Sequence, residues 1–252
     1  MAIYGIYFSP TQSTEKIVKS IGKEFGKVNP IDLSSNKTDY TYTFTKEDVC
    51  IIGVPSYGGR VPALAIERIK QFQGNHASVI GVVTYGNREY DDTLLELSEC
   101  LKECGFEFVA GITSVAEHSI MHQYASGRPD SNDLLELQQF AQKILTKLKN
   151  KSDHSDFILP GNHPYKKYNG IPLKPKATKK CTKCKVCARL CPAGAISLSD
   201  PSKTDQKLCI SCMRCIKVCP EQARKVNPLL VAVASKSMKK VCSIRKENEL
   251  FI

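Results

Sequence analysis

Tryptophan is absent from the 252 residues, methionine occurs only four times, and all aromatic residues together make up 8%. A planar ligand would have to be stacked by tyrosine or phenylalanine. No apolar run approaches the ~20 residues that a membrane-crossing helix needs, and the opening MAIYGIYFSP enters an apolar stretch without a basic leader or a small-residue cleavage site. The chain therefore reads as soluble, unexported and cytoplasmic. Acidic residues are scarce in one region only: residues 157–252 hold 20 Lys and Arg against 5 Asp and Glu, whereas residues 1–156 hold 16 against 20. That shift in charge marks a domain boundary. Cysteine, by contrast, is plentiful, with 12 in the chain, eight of them in two short blocks of the basic half. Without an export signal this usage points to metal ligation in a reducing compartment and away from a disulfide scaffold. A hydrophobic share of 42% is enough to build an ordinary core.

The first half alternates strands and helices. The runs AIYGIYF, KVNPIDL, VCIIGVP, SVIGVVTYG and EFVAGITSV have strand length and β-branched content, and helical stretches fit about 13–25, 62–72, 91–104 and 130–149. Continuously apolar strands in such an alternation predict a five-stranded, doubly wound parallel sheet of the α/β class, covered on both faces. Ligands in that architecture bind beyond the carboxyl ends of the strands.

Three loops at that edge carry polar chemistry. After the first strand, Ser9-Pro10-Thr11-Gln12-Ser13-Thr14 places four hydroxyls in six residues just before a helix. One such residue would be a helix cap. Four, with free backbone N–H groups and the positive end of the helix dipole behind them, favour a phosphate. The loop has neither a Walker Gly-Lys pattern nor Gly-x-Gly-x-x-Gly, so a phosphate monoester fits better than a nucleoside triphosphate or a dinucleotide. PSYGGRVP after the third strand and TYGNREYD after the fourth each pair aromatic rings with glycines, which suits a planar heterocycle; each alone would also serve as a plain turn.

SPTQSTEK resembles the phosphate loop of flavodoxins, and PSYGGRVP with YGNREYDD resembles their two ring-holding loops, over about the first 150 residues. The resemblance implies FMN, with phosphate contacts from Ser9, Thr11, Gln12, Ser13 and Thr14. It implies ring contacts from Pro55, Ser56, Tyr57, Gly58, Gly59 and Arg60, and from Thr84, Tyr85, Gly86 and Asn87. Stacking would fall to Tyr57, Tyr85 or Tyr90, stabilisation of the reduced ring to Arg60 or Arg88, and the Gly58-Gly59 peptide would turn its carbonyl toward that ring.

The cysteine blocks, CTKCKVCARLCP and CISCMRCIKVCP, share the spacing C-x2-C-x2-C-x3-C-P. Bacterial ferredoxins bind [4Fe–4S] clusters with this run, and in two-cluster proteins the fourth cysteine serves the other cluster. One cluster would take Cys181, Cys184, Cys187 and Cys219, the other Cys209, Cys212, Cys215 and Cys191. A zinc site would use paired C-x2-C motifs and leave the third and fourth cysteines of each block without purpose. Val186, Ile196, Ile210, Ile216 and Val218 would form an apolar shell that limits water. Cys50, Cys100, Cys104 and Cys242 read as packing residues. His118 and His122, four apart but without a third ligand, read as part of a loop near the flavin that docks the ferredoxin half.

As a whole the chain resembles the flavodoxin–ferredoxin fusions, or iron–sulfur flavoproteins, of anaerobic bacteria and archaea. Residues 1–150 would be the FMN domain, 151–178 an extended connector, 179–228 a small α+β two-cluster ferredoxin-like domain and 229–252 a tail packing on both. The function implied is electron transfer between two clusters and FMN and a soluble, acidic redox protein such as a ferredoxin, a flavodoxin or an oxidoreductase. That partner would be met by Lys179, Lys180, Lys183, Lys185 and Arg189; a homodimer stays open. The alternative is a ferredoxin-fed reductase of a quinone, nitro compound or disulfide. Nucleic acid is disfavoured, because thiolate ligation and the cofactors bring the net charge from +11 to about +5 and the lysines form no helix face.

Overall fold

The structure is a computed structural model that describes residues 1–150 and 157–252, so the first six residues of the expected connector lie outside the described residues. In chain order the first part comprises β1 (Ile3–Tyr7), α1 (Ser13–Lys23), β2 (Val28–Asp32), β3 (Tyr42–Thr43), β4 (Val49–Pro55), α2 (Ala63–Ile69), β5 (Phe72–Gln73), β6 (Ser78–Tyr85), α3 (Thr93–Glu103), β7 (Glu107–Val115) and α4 (Ser131–Lys149). There follow β8 (Lys176–Ala177), α5 (Val186–Arg189), α6 (Arg214–Lys217), β9 (Arg224–Lys225), α7 (Pro228–Cys242) and β10 (Glu249–Phe251).

Alternation along β4 sets up two apolar layers. Cys50, Ile52 and Val54 face a cluster with Leu94, Leu97 and Leu101 of α3, while Ile51 faces the opposite cluster with Ile17, Val18 and Ile21 of α1 and Leu137 and Ile144 of α4. Each of these Val, Leu and Ile side chains contributes roughly 1.5–3 kcal/mol by leaving water. The five strands β2, β1, β4, β6 and β7 run parallel in that order, the 2-1-3-4-5 order of the flavodoxin-like sheet.

The sheet has a sixth strand that the five-strand expectation omits. β10 pairs antiparallel with the edge strand β7, Leu250 opposite Ile112, and so covers backbone groups that would otherwise stand open. Three residues are too few to show a strand period. Side chains fasten the tail beside it: Asn248 accepts from Val115 N at 3.0 Å and Glu249 accepts from the Tyr90 hydroxyl at 2.7 Å.

The cysteine-rich part is built from the one-turn helices α5 and α6 and the antiparallel pair β8–β9, a small α+β unit. It meets the sheet domain through Arg68, buried over the Tyr40 ring, which donates to the carbonyls of Leu33 and, at 2.8 Å, Pro192. Arg214 lies 3.7 Å from Asp32 across the same junction. The described connector is fixed by Asp92, which accepts from the Asn162 and Lys166 amides at 2.9 and 2.6 Å. Burial pushes the Asp92 carboxyl up, but those N–H bonds and Arg60 outweigh it and hold it below the usual range. No helix among the described residues is long and apolar enough to cross a membrane.

Candidate functional site

Beyond the carboxyl ends of β1, β4 and β6 lies a cleft of about 480 Å³. Its floor is the loop that opens α1. Gln12 sits at φ 73° as the residue before the helix, a conformation that turns the following amides outward, and its carbonyl accepts from Lys16 N. Ser9 Oγ accepts from Glu15 N at 2.9 Å. The amides of Ser13 and Thr14 have no acceptor among the described residues, as the first turn of a helix requires. Thr14 Oγ1 pairs with Thr84 Oγ1 at 2.7 Å, and both are buried, which ties the phosphate loop to the ring loop.

The ring loops form the sides. Tyr57 and Arg60 exchange backbone hydrogen bonds around Gly58 and Gly59, which have φ of 63° and 90°. Gly58 is needed twice over: its backbone is left-handed, and a Cβ there would stand 2.2 Å from Tyr168 of the connector. Burial pushes the hydroxyls of Tyr57 and Tyr85 up, so both rings stay neutral.

Of the expected flavin contacts, Ser9, Thr11, Ser13, Thr14, Pro55, Ser56, Tyr57, Gly58, Thr84, Tyr85, Gly86 and Arg88 line the cleft. Gln12, Gly59, Arg60, Asn87 and Tyr90 do not, and each has another task. Gln12 is exposed, and its contribution is backbone geometry. The Gly59 carbonyl accepts from Asp92 N. Arg60 forms a bidentate pair with Glu96 at 2.6 and 2.8 Å and caps the Tyr165 ring, so it secures the connector and is no free cation for a reduced ring. Asn87 donates to the carbonyls of Cys242 and Ile244 and holds the tail. Tyr90 is spent on Glu249. Arg88, at the cleft, is paired with Asp91.

The roof comes from residues outside the expected set: Tyr168, Ile171 and Leu173 of the connector, Leu230, Val233 and Met238 of α7, and Ile210 with Ser211 of the second cysteine block. The apolar start of α7, PLLVAVAS, and the aromatic connector were the available signals, but nothing local says which surface they cover. Ser211 Oγ is buried and has no hydrogen-bond partner among the described residues, as an open hydrogen-bond position in this wall. The loop holding His118 docks α7, through Ile120, Met121 and Tyr124 against Val231, Ala234 and Met238. It also forms the wall beside Gly86. An open amide pair at a helix start, a buried orphan hydroxyl and tyrosine walls fit a phosphate-bearing aromatic cofactor such as FMN.

The eight block cysteines surround two further cavities. One is lined by Cys181, Cys184, Cys187 and Cys219, the other by Cys191, Cys209, Cys212 and Cys215, so each draws its fourth cysteine from the other block. Corresponding residues repeat the same backbone: Lys183 and Ser211 have φ of 57° and 56°, Lys185 and Met213 of 66° and 62°. Non-glycine residues adopt such angles at a cost, and consecutive turns of this kind build backbone nests that favour anions. The Ser211 and Arg214 amides bond the sulfurs of Cys209 and Cys212, which opposes the burial that pushes the free Cys212 and Cys215 thiols up to about 12. In the second block, half-buried sulfurs that accept from amides suit ligands of a metal cluster. Of the shell residues, Ile196 and Val218 pack with Cys187, Cys191 and Cys215.

Comparison with known proteins divides the chain in the same way. A family model described as a 4Fe-4S dicluster domain matches residues 180–224. Solved structures similar to the N-terminal part include an archaeal flavodoxin, 16% identical, covering 59% of this chain and 99% of that one with a TM-score of 0.42. Oxidised Flavodoxin 2 from Bacillus cereus is 18% identical over 58% of this chain and 99% of its own, with a TM-score of 0.43. The rubredoxin oxygen:oxidoreductase of Desulfovibrio gigas is 18% identical over 60% of this chain and 37% of its own, with a TM-score of 0.41. No curated protein sequence matches significantly. Strand order and cysteine blocks together make this chain a fusion of a flavodoxin-like sheet domain with a 4Fe-4S dicluster domain.

Proposed function

We propose that the chain is an electron-transfer iron–sulfur flavoprotein that carries electrons between two [4Fe–4S] clusters, FMN and a soluble redox protein. The observation that carries this reading is Ile210, which lines both the cleft and the cavity of Cys191, Cys209, Cys212 and Cys215. One side chain forms a wall common to two cofactor sites. When bound, each cluster would supply one-electron chemistry and FMN one- or two-electron chemistry. The Ser13 and Thr14 amides would hold the phosphate, Tyr57 and Tyr85 the ring, and the connector and α7 would keep water out.

Anaerobic redox titration of the purified chain, followed by optical and EPR spectra, tests the reading: two cluster signals and one flavin signal should be reducible in the same molecule. Absence of either kind would overturn it. Rapid turnover of a quinone, nitro compound or disulfide with reduced ferredoxin would favour the reductase instead.

A further inference from the structure

His118, in the loop after β7, lines the cleft with its imidazole laid on Gly86, where a Cβ would stand 2.7 Å from His118 Cδ2. Its Nδ1 accepts two backbone bonds, from Ile120 N at 3.2 Å and Met121 N at 3.1 Å. A nitrogen that accepts from N–H groups carries no proton, so the neutral ring must hold its proton on Nε2. The edge laid on Gly86 is Cβ–Cγ–Cδ2, with Cβ and Cγ each 2.9 Å from the same point, and Nε2 is the next ring atom beyond Cδ2. The histidine thus brings a donor of fixed identity to the wall of the cleft. His118 could pair with His122 on a metal only by giving up those two amides, and His122 is instead exposed and 2.7 Å from Glu117.

We infer that His118 is a flavin-binding residue whose locked Nε2–H donates to an acceptor on the edge of the isoalloxazine ring, an assignment that rests on reading the cleft as an FMN site. Burial, helped slightly by His122 and opposed by a bond to the residue's own backbone that raises it, pushes the imidazole down to about 4, so the donor is neutral at pH 7. The nearby arginines reinforce the point, since Arg60 is committed to Glu96 and Arg88 to Asp91. The ring edge is therefore served by a neutral donor, which satisfies an acceptor without adding a positive charge to the site.

The test uses the full chain with its clusters loaded. In the FMN-free protein labelled with 15N-histidine, NMR should show His118 as the Nε2–H tautomer, and added FMN should shift Nε2 and leave Nδ1 nearly fixed. By quenching of flavin fluorescence, His118→Phe should bind FMN about tenfold more weakly. His118→Gln, whose amide can both accept from the loop and donate to the ring, should stay within about threefold of the parent. An Nδ1–H tautomer, unchanged affinity in His118→Phe, or equal loss in both variants would overturn the inference. If the parent chain bound no FMN, the FMN reading itself would fall and this assignment with it, while the tautomer would still report whether the loop geometry is right.

Discussion

Residues 1–150 bury two apolar layers, one on each face of the sheet, whereas the principal cluster of the cysteine-rich part centres on Cys187, Ala188 and Ile196, with Cys191, Cys215 and Val218 packed against it. Half of that small cluster is cysteine ligands. The first region can be held largely by the hydrophobic effect; the second has little apolar surface to offset the entropy of ordering its chain and, on the proposed reading, would rely on bonds to metal. The sites differ accordingly. The floor and sides of the cleft are shaped by the sheet and its loops, and only part of its roof, Ile210 and Ser211, comes from the cysteine-rich part, while the cysteine cavities exist only as far as their cysteines stay together.

Removing iron should expose this contrast most strongly. The loaded chain should contain about eight iron and eight sulfide per molecule. After chelation, residues 179–228 should lose hydrogen-exchange protection and become sensitive to protease, while β1, β4, β6 and β7 keep theirs. Protection retained in the cysteine-rich part without iron would mean that its few apolar contacts suffice, and the comparison would collapse.

The next largest effect separates the two cavities from each other. Cys219→Ala should abolish the cluster of Cys181, Cys184 and Cys187 and spare the other; Cys191→Ala should do the reverse, because each cavity takes its fourth cysteine from the opposite block. EPR of the reduced variants reads the outcome. Loss confined to the block that carries the substitution would reject the crossing.

A change in the cleft should be smaller and leave the fold intact. Thr11 lines the cleft and is half-buried, so Thr11→Asp places a carboxylate against a dianionic phosphate without emptying the core. FMN should bind about a hundredfold more weakly, equivalent to ~2.7 kcal/mol, with iron content and melting temperature of the FMN-free chain unchanged. Equal affinity would remove this loop from the site. The cofactor released by denaturation should be FMN; recovery of FAD would point to a different geometry for the phosphates.

Legibility in the sequence follows the same division. Cysteine spacing is a local code, so the two ligand sets can be written down from the blocks alone, and apolar strands alternating with helices fix a parallel sheet because each must be covered on both faces. What fails to show is anything that depends on where a distant segment lands. Arg60 and Tyr90 stand in loops that suit a flavin, yet Glu96 and Glu249 claim them, and neither partner is identified by local pattern. β10 is three residues long and gains its partners only from the open edge of β7. The roof residues of α7 fall in the tail expected to pack on both domains, but nothing local says that they lie over the cleft. His118 could be placed near the flavin by its position after the last parallel strand, but its tautomer depends on the turn made by Ile120 and Met121.

The smallest expected effect concerns the outer face of the cysteine-rich part, where the two regions differ in charge as well as in packing. We propose that an acidic redox protein docks there, beside the cavity that holds Cys184, the one cluster-block cysteine that is exposed. Lys183 is 3.8 Å from Asp200 with most of its side chain in solvent, a pair that contributes little to stability and leaves its charge open to a partner. Arg189 donates to the Cys184 carbonyl and so keeps a cation next to this cavity. Opposite charge on the partner raises the encounter rate and orients it, and the effect fades as salt shortens the screening length to ~8 Å and below. Stopped-flow reduction by an acidic ferredoxin at low salt should therefore slow about threefold to tenfold in Lys183→Glu with Lys185→Glu, and the parent should slow similarly as salt rises. The internal cluster-to-flavin step should not change, because neither lysine lines the cleft, and rates are compared per loaded cluster because Lys185 lines the cavity of Cys184. Equal charge reversal at Lys19, which pairs with Glu15 on α1 of the sheet domain, should leave the rate alone. If it slowed the reaction as much as the Lys183 and Lys185 changes, attraction would belong to the net charge of the whole chain and not to the face around Cys184.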